Sequence, residues 1–237
     1  MKPIFIFLFT IICSRVFSQE TVINDKNVEV RNVTSFSGIK VSGGIDVYLS
    51  QSDDYSLAVS ASEDKYRDNI TTEVHNGILN ISYNNDRSGW SSGNKKLRAY
   101  ISFKTLESIE GSGACDFIIN NTLNVNSIRV KLSGACDIRG AVKITNLILD
   151  LSGASTAKIN GATQNLKLNA SGASDVKNYD LETENCIAKL SGASDVRIRI
   201  TSSISASASG ASSLYYKGNP DRKEVATSGA SSISQKD

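Results

Sequence analysis

Hydrophobic and polar residues alternate along most of residues 105–237, and the alternating pattern recurs about every 20 residues. A five-residue block interrupts it seven times, with opening serines 21, 19, 19, 20, 18 and 19 residues apart. The blocks are Ser112–Asp116, Ser133–Asp137, Ser152–Thr156, Ser171–Asp175, Ser191–Asp195, Ser209–Ser213 and Ser228–Ser232. A fixed period of this length is typical of solenoids, in which each repeat adds one coil to a stack.

Within a repeat, the residues five, three and one before the block are mostly apolar, as in Leu166, Leu168 and Ala170, with Lys167 and Asn169 between them. This period of 2 predicts a β-strand with one apolar face. Another apolar column follows the opening serine by five residues and consists of Phe117, Ile138, Ala157, Val176, Val196, Leu214 and Ile233. We therefore predict an all-β, single-stranded, right-handed β-helix (β-solenoid) with coils of about 19–20 residues, stacked about 4.8 Å apart.

The Ser-Gly-Ala start of each block predicts a bend, because glycine tolerates positive φ. All seven blocks carry alanine in third place. This predicts a narrow interior at that corner, and we expect the block serines to bond from coil to coil.

Residues 34–104 lack the full block and are predicted to form a β-region that caps one end of the stack. Val41–Leu49 resembles a degenerate block, with Gly44 at the alanine position and Asp46 at the aspartate position. His75-Asn76-Gly77 predicts a hairpin. Further predictions are a turn or two of helix within 62–69, an exposed loop over 84–96, and strands near 36–41, 44–51, 55–61, 70–75, 78–83 and 97–103.

Residues 1–18 are predicted to be a secretory signal peptide, with Lys2 before an apolar run and cleavage before Gln19. That run is shorter than the roughly 20 residues of a membrane span. A lipoprotein signal at Cys13 is the alternative, although the bulky Ile12 before it disfavours this. The predicted organisation is then a lead segment at 19–33, the β-region at 34–104 and the solenoid at 105–237.

Residues 1–18 contain two basic residues and no acid, so the mature chain would hold 24 basic and 24 acidic residues. A net charge near zero argues against nucleic-acid binding, which requires a basic surface. It also provides no electrostatic attraction to an anionic membrane.

Several segments of the N-terminal region resemble the head GIN domain family of auto-transporter adhesins. These segments are Phe36–Gln51, Tyr55–Val59, Ile70–Val74 and Gly77–Ile81, and the later Ser-Gly-Ala-Ser-Asp blocks resemble the second half of the family. The resemblance covers about residues 34–232. It implies a secreted, all-β fold with an adhesive or surface role.

The sequence shows little catalytic chemistry. His75 is the only histidine, which excludes a histidine-based triad or a multi-histidine zinc site within one chain. Ser155–Lys158 and Ser174–Lys177 match Ser-x-x-Lys, but residues i and i+3 of a strand point to opposite faces. We predict no catalytic, cofactor-binding or metal-binding residue.

The most suggestive feature is a row of acids one or two coils apart, interrupted by Thr156 and formed by Asp116, Asp137, Asp175 and Asp195. Stacked carboxylates could supply part of a Ca²⁺ site. The favoured interpretation is that each aspartate satisfies backbone N–H groups of its bend.

Cys186 falls in an apolar column and is predicted to be a small buried residue. Cys115 and Cys136 occupy the same position in adjacent coils, so a disulfide and two free thiols are both open. Tyr215-Tyr216 is either a ligand-facing aromatic patch or, as we favour, a cover for the edge of the last coil.

These features predict an exported, non-enzymatic binding or adhesion module that presents a rigid polar β-face to a surface ligand, either glycan or protein. The alternatives are a polysaccharide-acting β-helix enzyme and a structural component of the cell envelope. The sequence leaves the oligomeric state open.

Overall fold

A computed structural model describes residues 25–84 and 95–237, and this part of the chain is nearly all β. Its only helix, α1 (Asp64–Arg67), is a single turn within the predicted 62–69 segment. The strands are β1 (Glu29–Arg31), β2 (Gly38–Ser42), β3 (Asp46–Gln51), β4 (Ser56–Ser60), β5 (Ile70–His75), β6 (Ile78–Tyr83), β7 (Arg98–Phe103), β8 (Ser108–Ser112), β9 (Asp116–Ile119), β10 (Leu123–Leu132), β11 (Asp137–Leu151), β12 (Thr156–Ala170), β13 (Asp175–Leu190), β14 (Asp195–Ala208), β15 (Ser213–Lys217), β16 (Arg222–Thr227) and β17 (Ser232–Gln235).

The repeats stack as a parallel β-solenoid, as predicted. Strands β10 to β14 pair in sequence, each parallel to the next. Leu151 lies opposite Leu132 on one side and Ala170 on the other. Each long strand supplies most of one coil, and the block between two strands turns the chain into the next coil.

The predicted inward columns are the core. One column, three residues before the block, consists of Ile109, Val130, Leu149, Leu168, Ala188, Ala206 and Val225, and the first six are no more than 5% exposed. Val225 in β16 is 52% exposed, so the prediction is wrong for the last coil. Lys131, Lys167 and Lys189 between the inward positions are exposed, as expected. The apolar interior is therefore continuous from coil to coil, and the polar face lies outside.

The predicted position of the block alanines is wrong. All seven are exposed, and the fourth residue of the block points inward instead, as in the fully buried Ser155 and Ser174. The reason is that the period-2 alternation continues through the block, since Leu151, Ser155 and Ala157 all point inward and the alanine between them falls in the outward phase. Each buried hydroxyl donates to the carbonyl that opens its own block, for example from Ser174 to Ser171 at 2.8 Å.

The opening serines do bond from coil to coil, as predicted. The Ser152 hydroxyl donates to the Leu132 carbonyl at 3.2 Å, and the Ser171 hydroxyl donates to the Leu151 carbonyl at 3.4 Å. The two serines of a block therefore form different hydrogen bonds. The serine in first place bonds to the neighbouring coil, and the serine in fourth place stabilises its own bend from the interior.

The N-terminal region continues the stack but not in chain order. Strand β2 lies between β6 and β8, and β3 lies between β7 and β9, all parallel. The register places Asp46 opposite Asp116, which confirms that Val41–Leu49 is a copy of the block. The six predicted strands of this region are found as β2 to β7, with small shifts at their ends.

Antiparallel strands cap this end of the solenoid. Strand β5 pairs with β6, while β4 pairs with β7 and β1 pairs with β4. The β5–β6 connection is the predicted two-residue hairpin, with Asn76 at φ 51° and Gly77 at φ 74°. The lead segment is held to the cap by Asp25, which accepts a hydrogen bond from Ser60 at 2.5 Å.

The predicted signal peptide and the central part of the predicted 84–96 loop lie outside the described residues. Within the part of the chain that is described, no helix has the length and apolar character needed to cross a membrane.

Candidate functional site

Two outward rows of side chains follow each bend and together form what we call the charged face. The acidic row runs through successive coils as Asp46, Asp116, Asp137, Thr156, Asp175 and Asp195. Two residues further along each strand, the basic row runs as Tyr100, Tyr48, Ile118, Arg139, Lys158, Lys177, Arg197 and Tyr215. The parallel register makes both rows straight.

The two rows are joined by ion pairs in only some of the coils. Lys177 lies 2.9 Å from Asp175, and Arg197 lies 3.3 Å from Asp195. These carboxylates therefore pair with cations along their own strand, in place of the predicted role at the bend. Thr156 occupies the acidic row beside Lys158, so that coil lacks an acid at this position.

The acidic row was the strongest candidate for a cation site in the sequence. Among residues 25–84 and 95–237, no group of three or more His, Cys, Asp or Glu side chains is placed to hold a metal ion. Burial, together with the negative charge of Asp116, raises the pKa of Asp46. Burial is the larger of the two causes, and the positive charges of Arg98 and Arg139 partly offset the rise in the pKa of Asp46.

A pair of stacked tyrosines lies at one end of the basic row. The rings of Tyr48 and Tyr100 are 5.0 Å apart and nearly parallel, and both side chains are half-buried. The Tyr100 hydroxyl and Arg98 donate to the Asp25 carboxylate at 3.3 and 3.1 Å. Together with the bond from Ser60, these contacts lower the pKa of Asp25 and fix Tyr100 in place.

At the other end of the row, the two adjacent tyrosines face opposite sides of β15. Tyr216 is buried, which fits the favoured covering role. Tyr215 is partly exposed in the basic row, and the Lys236 ammonium lies 4.8 Å from the centre of its ring. One tyrosine of the pair thus belongs to the core and the other to the charged face.

A third row of side chains, six residues before the block, forms an asparagine ladder, which sequence reasoning missed. The amide of Asn165 donates to Asn146 at 2.9 Å and accepts from Asn185 at 3.1 Å. Ser127 and Ser203 complete the chain of bonds at its two ends. Stacked amides of this kind stabilise parallel in-register strands. The sequence pattern that could have predicted this ladder is an asparagine six residues before each of three consecutive blocks.

An open groove of about 500 Å³ crosses four coils. It lies beside a bend in each coil, where successive buried residues, such as Ile144 and Leu147, are three positions apart instead of two. Amide and charged side chains line it, namely Asn124, Asn126, Lys143, Gln164, Glu182 and Glu184. Glu182 and Glu184 are both exposed to solvent. It is a concave surface that sequence reasoning did not place, because the groove arises from the bend and not from any one motif.

All three described cysteines are buried and unbonded in the structure. Burial raises the pKa of Cys186 to about 12, which fits its predicted role as a small core residue. The Cys136 sulfur lies 3.4 Å from the Cys115 backbone nitrogen. A hydrogen bond from Cys136 lowers the pKa of Cys115. Whether the two thiols oxidise to a disulfide stays a prediction.

The remaining candidates from the sequence do not assemble into a catalytic site. Ser155 and Ser174 are buried, whereas Lys158 and Lys177 are exposed on the other side of the strand, so neither Ser-x-x-Lys match brings hydroxyl and ammonium together. His75 flanks the β5–β6 turn on the surface, as predicted.

The buried block serines were also missed, although the sequence held a signal for them. Their column contains Cys115 and Cys136 in the first two blocks and Ile45 in the degenerate copy, all three buried. An apolar residue in the same column as serine indicates an inward position.

The fold has solved relatives of similar length. A putative adhesin from Bacteroides fragilis is 25% identical, with a TM-score of 0.79, over 90% of this chain and 98% of that one. A putative lipid binding protein from Parabacteroides distasonis (19% identity, TM-score 0.66, 89% of this chain and 98% of that one) shares the fold. A putative adhesin from Parabacteroides merdae also shares the fold, with 15% identity and a TM-score of 0.65 over 89% of this chain and 96% of that one. Among curated proteins, none matches the chain.

The sequence itself matches a family model over residues 35–220, which is most of the chain. That family is described as "Putative auto-transporter adhesin, head GIN domain". The match begins just before β2 and ends just before β16, so it includes the capping region and most of the solenoid coils. The chain therefore belongs to the head GIN domain family of putative auto-transporter adhesins.

Proposed function

We propose that this protein is an exported, non-enzymatic binding module that attaches to a surface ligand through its rigid outer faces. The observation that carries the proposal is the parallel register, which holds outward side chains in straight rows at a fixed spacing of about 4.8 Å. A surface that is already ordered loses little conformational entropy on binding. Membership of an adhesin family supports the same function.

The absence of assembled catalytic groups in the described residues also favours binding over catalysis. Enzymes gather titratable groups with perturbed pKa values in a cleft. Here the shifted groups, such as Asp25 and Cys186, are tied into the cap or the core. Export rests on the predicted signal peptide at residues 1–18.

A glycan array and intact bacterial or host cells, both probed with labelled residues 19–237, test the binding function. We expect saturable retention on at least one class of glycan or on the cell surface. Retention on neither would contradict a binding role and favour a structural component of the envelope.

A polysaccharide-acting enzyme is the second candidate, because two carboxylates, Glu182 and Glu184, line the open groove. Glycosidases use such a pair, with the acid usually held in an apolar pocket. Both glutamates are exposed here, and Glu182 lies 3.8 Å from Arg199. Release of reducing ends from any retained glycan, abolished by Glu182→Gln or Glu184→Gln, would establish the enzyme.

Folding should not depend on Ca²⁺. Asp175 and Asp195 already pair with cations of the chain, so these two carboxylates need no Ca²⁺ to offset their charge. We expect the same melting temperature with and without an excess of chelator. A lower melting temperature that Ca²⁺ restores, and Mg²⁺ does not, would identify the acidic row as a metal site.

A further inference from the structure

We propose that the basic row of the charged face is a binding track for a linear acidic polysaccharide, which lies along the axis of the solenoid. The proposal rests on the binding function above and specifies its ligand class. The track is the stretch of the basic row between the Tyr48–Tyr100 stack and Tyr215, with the acidic row beside it.

The spacing of the cations carries the first part of the argument. Arg139 pairs with Lys158, and Lys177 pairs with Arg197, so the members of each pair are about 4.8 Å apart along the axis. Lys158 and Lys177 directly follow the paired residues Ala157 and Val176. One pyranose unit of a linear glycan has a similar length. Successive anionic sugars laid along the track therefore meet successive cations without bending of either partner.

The charge pattern shows where the track would bind most strongly. Neither Arg139 nor Lys158 forms an ion pair with another residue of the described part of the chain, whereas Lys177 and Arg197 are paired with aspartates. Thr156 removes the acid that would otherwise stand beside Lys158. The middle of the track thus offers two cations to an anionic group, one of them an arginine that can bind a carboxylate through two hydrogen bonds.

The other side chains of the charged face can contact the sugar units of the ligand as well as its anionic groups. The half-buried Tyr48 and Tyr215 also lie on this face, and their hydroxyls can form hydrogen bonds with sugar hydroxyls. The carboxylates of Asp137 and Asp175 can accept hydrogen bonds from sugar hydroxyls. A phosphate diester has no hydroxyl to donate, so the acidic row favours a sugar chain over a nucleic-acid backbone.

Titration of residues 19–237 with polygalacturonate, followed by calorimetry at low and high salt, tests the track. We expect binding that weakens at high salt and is absent with neutral dextran. Combined Arg139→Gln and Lys158→Gln should weaken it by about tenfold or more, because both unpaired cations are lost. Thr156→Asp should also weaken it, since it places an acid beside Lys158 as in the neighbouring coils.

The matched control is Lys131→Gln with Lys189→Gln, which removes two charges from exposed lysines that precede the block and lie outside the two rows of the charged face. It should leave affinity within about twofold of the parent chain. Equal losses in the two double variants, or equally tight binding of oligothymidine, would overturn the track. If polygalacturonate fails to bind while the array or the cells retain the protein, the track is wrong and the binding function stands. If none of them binds, both proposals fail.

Discussion

Gly153→Ala should destabilise the solenoid by more than about 4 kcal/mol, a loss reached only by severe steric or packing defects. Gly153 has φ +74°, and a Cβ atom there would lie 2.4 Å from the Gly134 carbonyl oxygen in the preceding coil. That carbonyl accepts the hydrogen bond from the Ala154 N–H at 2.7 Å. The methyl group must push two bends apart, and each bend also supports the next coil.

Gly77→Ala is the matched control, because Gly77 has the same φ of +74° and no atom within 4 Å of the added methyl group. It should cost only the left-handed backbone strain, about 1–2 kcal/mol. Urea unfolding followed by far-ultraviolet circular dichroism measures both. Equal losses would show that backbone strain, and not contact between bends, makes glycine necessary in the block.

Leu151→Ala should cost about 2–5 kcal/mol, the usual range for a buried leucine whose surroundings cannot close the cavity. Leu151 is 2% exposed and lies between Leu132 and Ala170 in the stack. Ladder hydrogen bonds on both sides hold the backbone, so the neighbouring coils cannot move inward to fill the space. Equilibrium unfolding of the variant measures the loss.

Two outward substitutions calibrate the effect of Leu151→Ala. Lys131 is exposed in the coil before it, and Lys131→Ala should cost no more than about 0.5 kcal/mol. Asp150 also points outward, but it accepts hydrogen bonds from Arg129 at 3.0 Å and Asn169 at 2.6 Å. Asp150→Ala should therefore cost about 0.5–1.5 kcal/mol. A loss greater than that of Leu151→Ala would contradict the assignment of the inward face.

Much of this fold follows from the sequence because the repeat is periodic. The period near 20 predicts the coil, the period of 2 predicts which residues enter the core, and Asn76-Gly77 predicts its hairpin. Even the degenerate block around Asp46 was placed in the correct register. These features depend on residues close together in the chain, where spacing alone decides the geometry.

Tertiary structure alone decided the features that depend on pairing between distant segments. The β2–β3 coil lies between β6–β7 and β8–β9, because strand pairing follows complementary edges and not chain order. The charged face, its unpaired Arg139 and Lys158, and the asparagine ladder likewise arise only when coils stack in register.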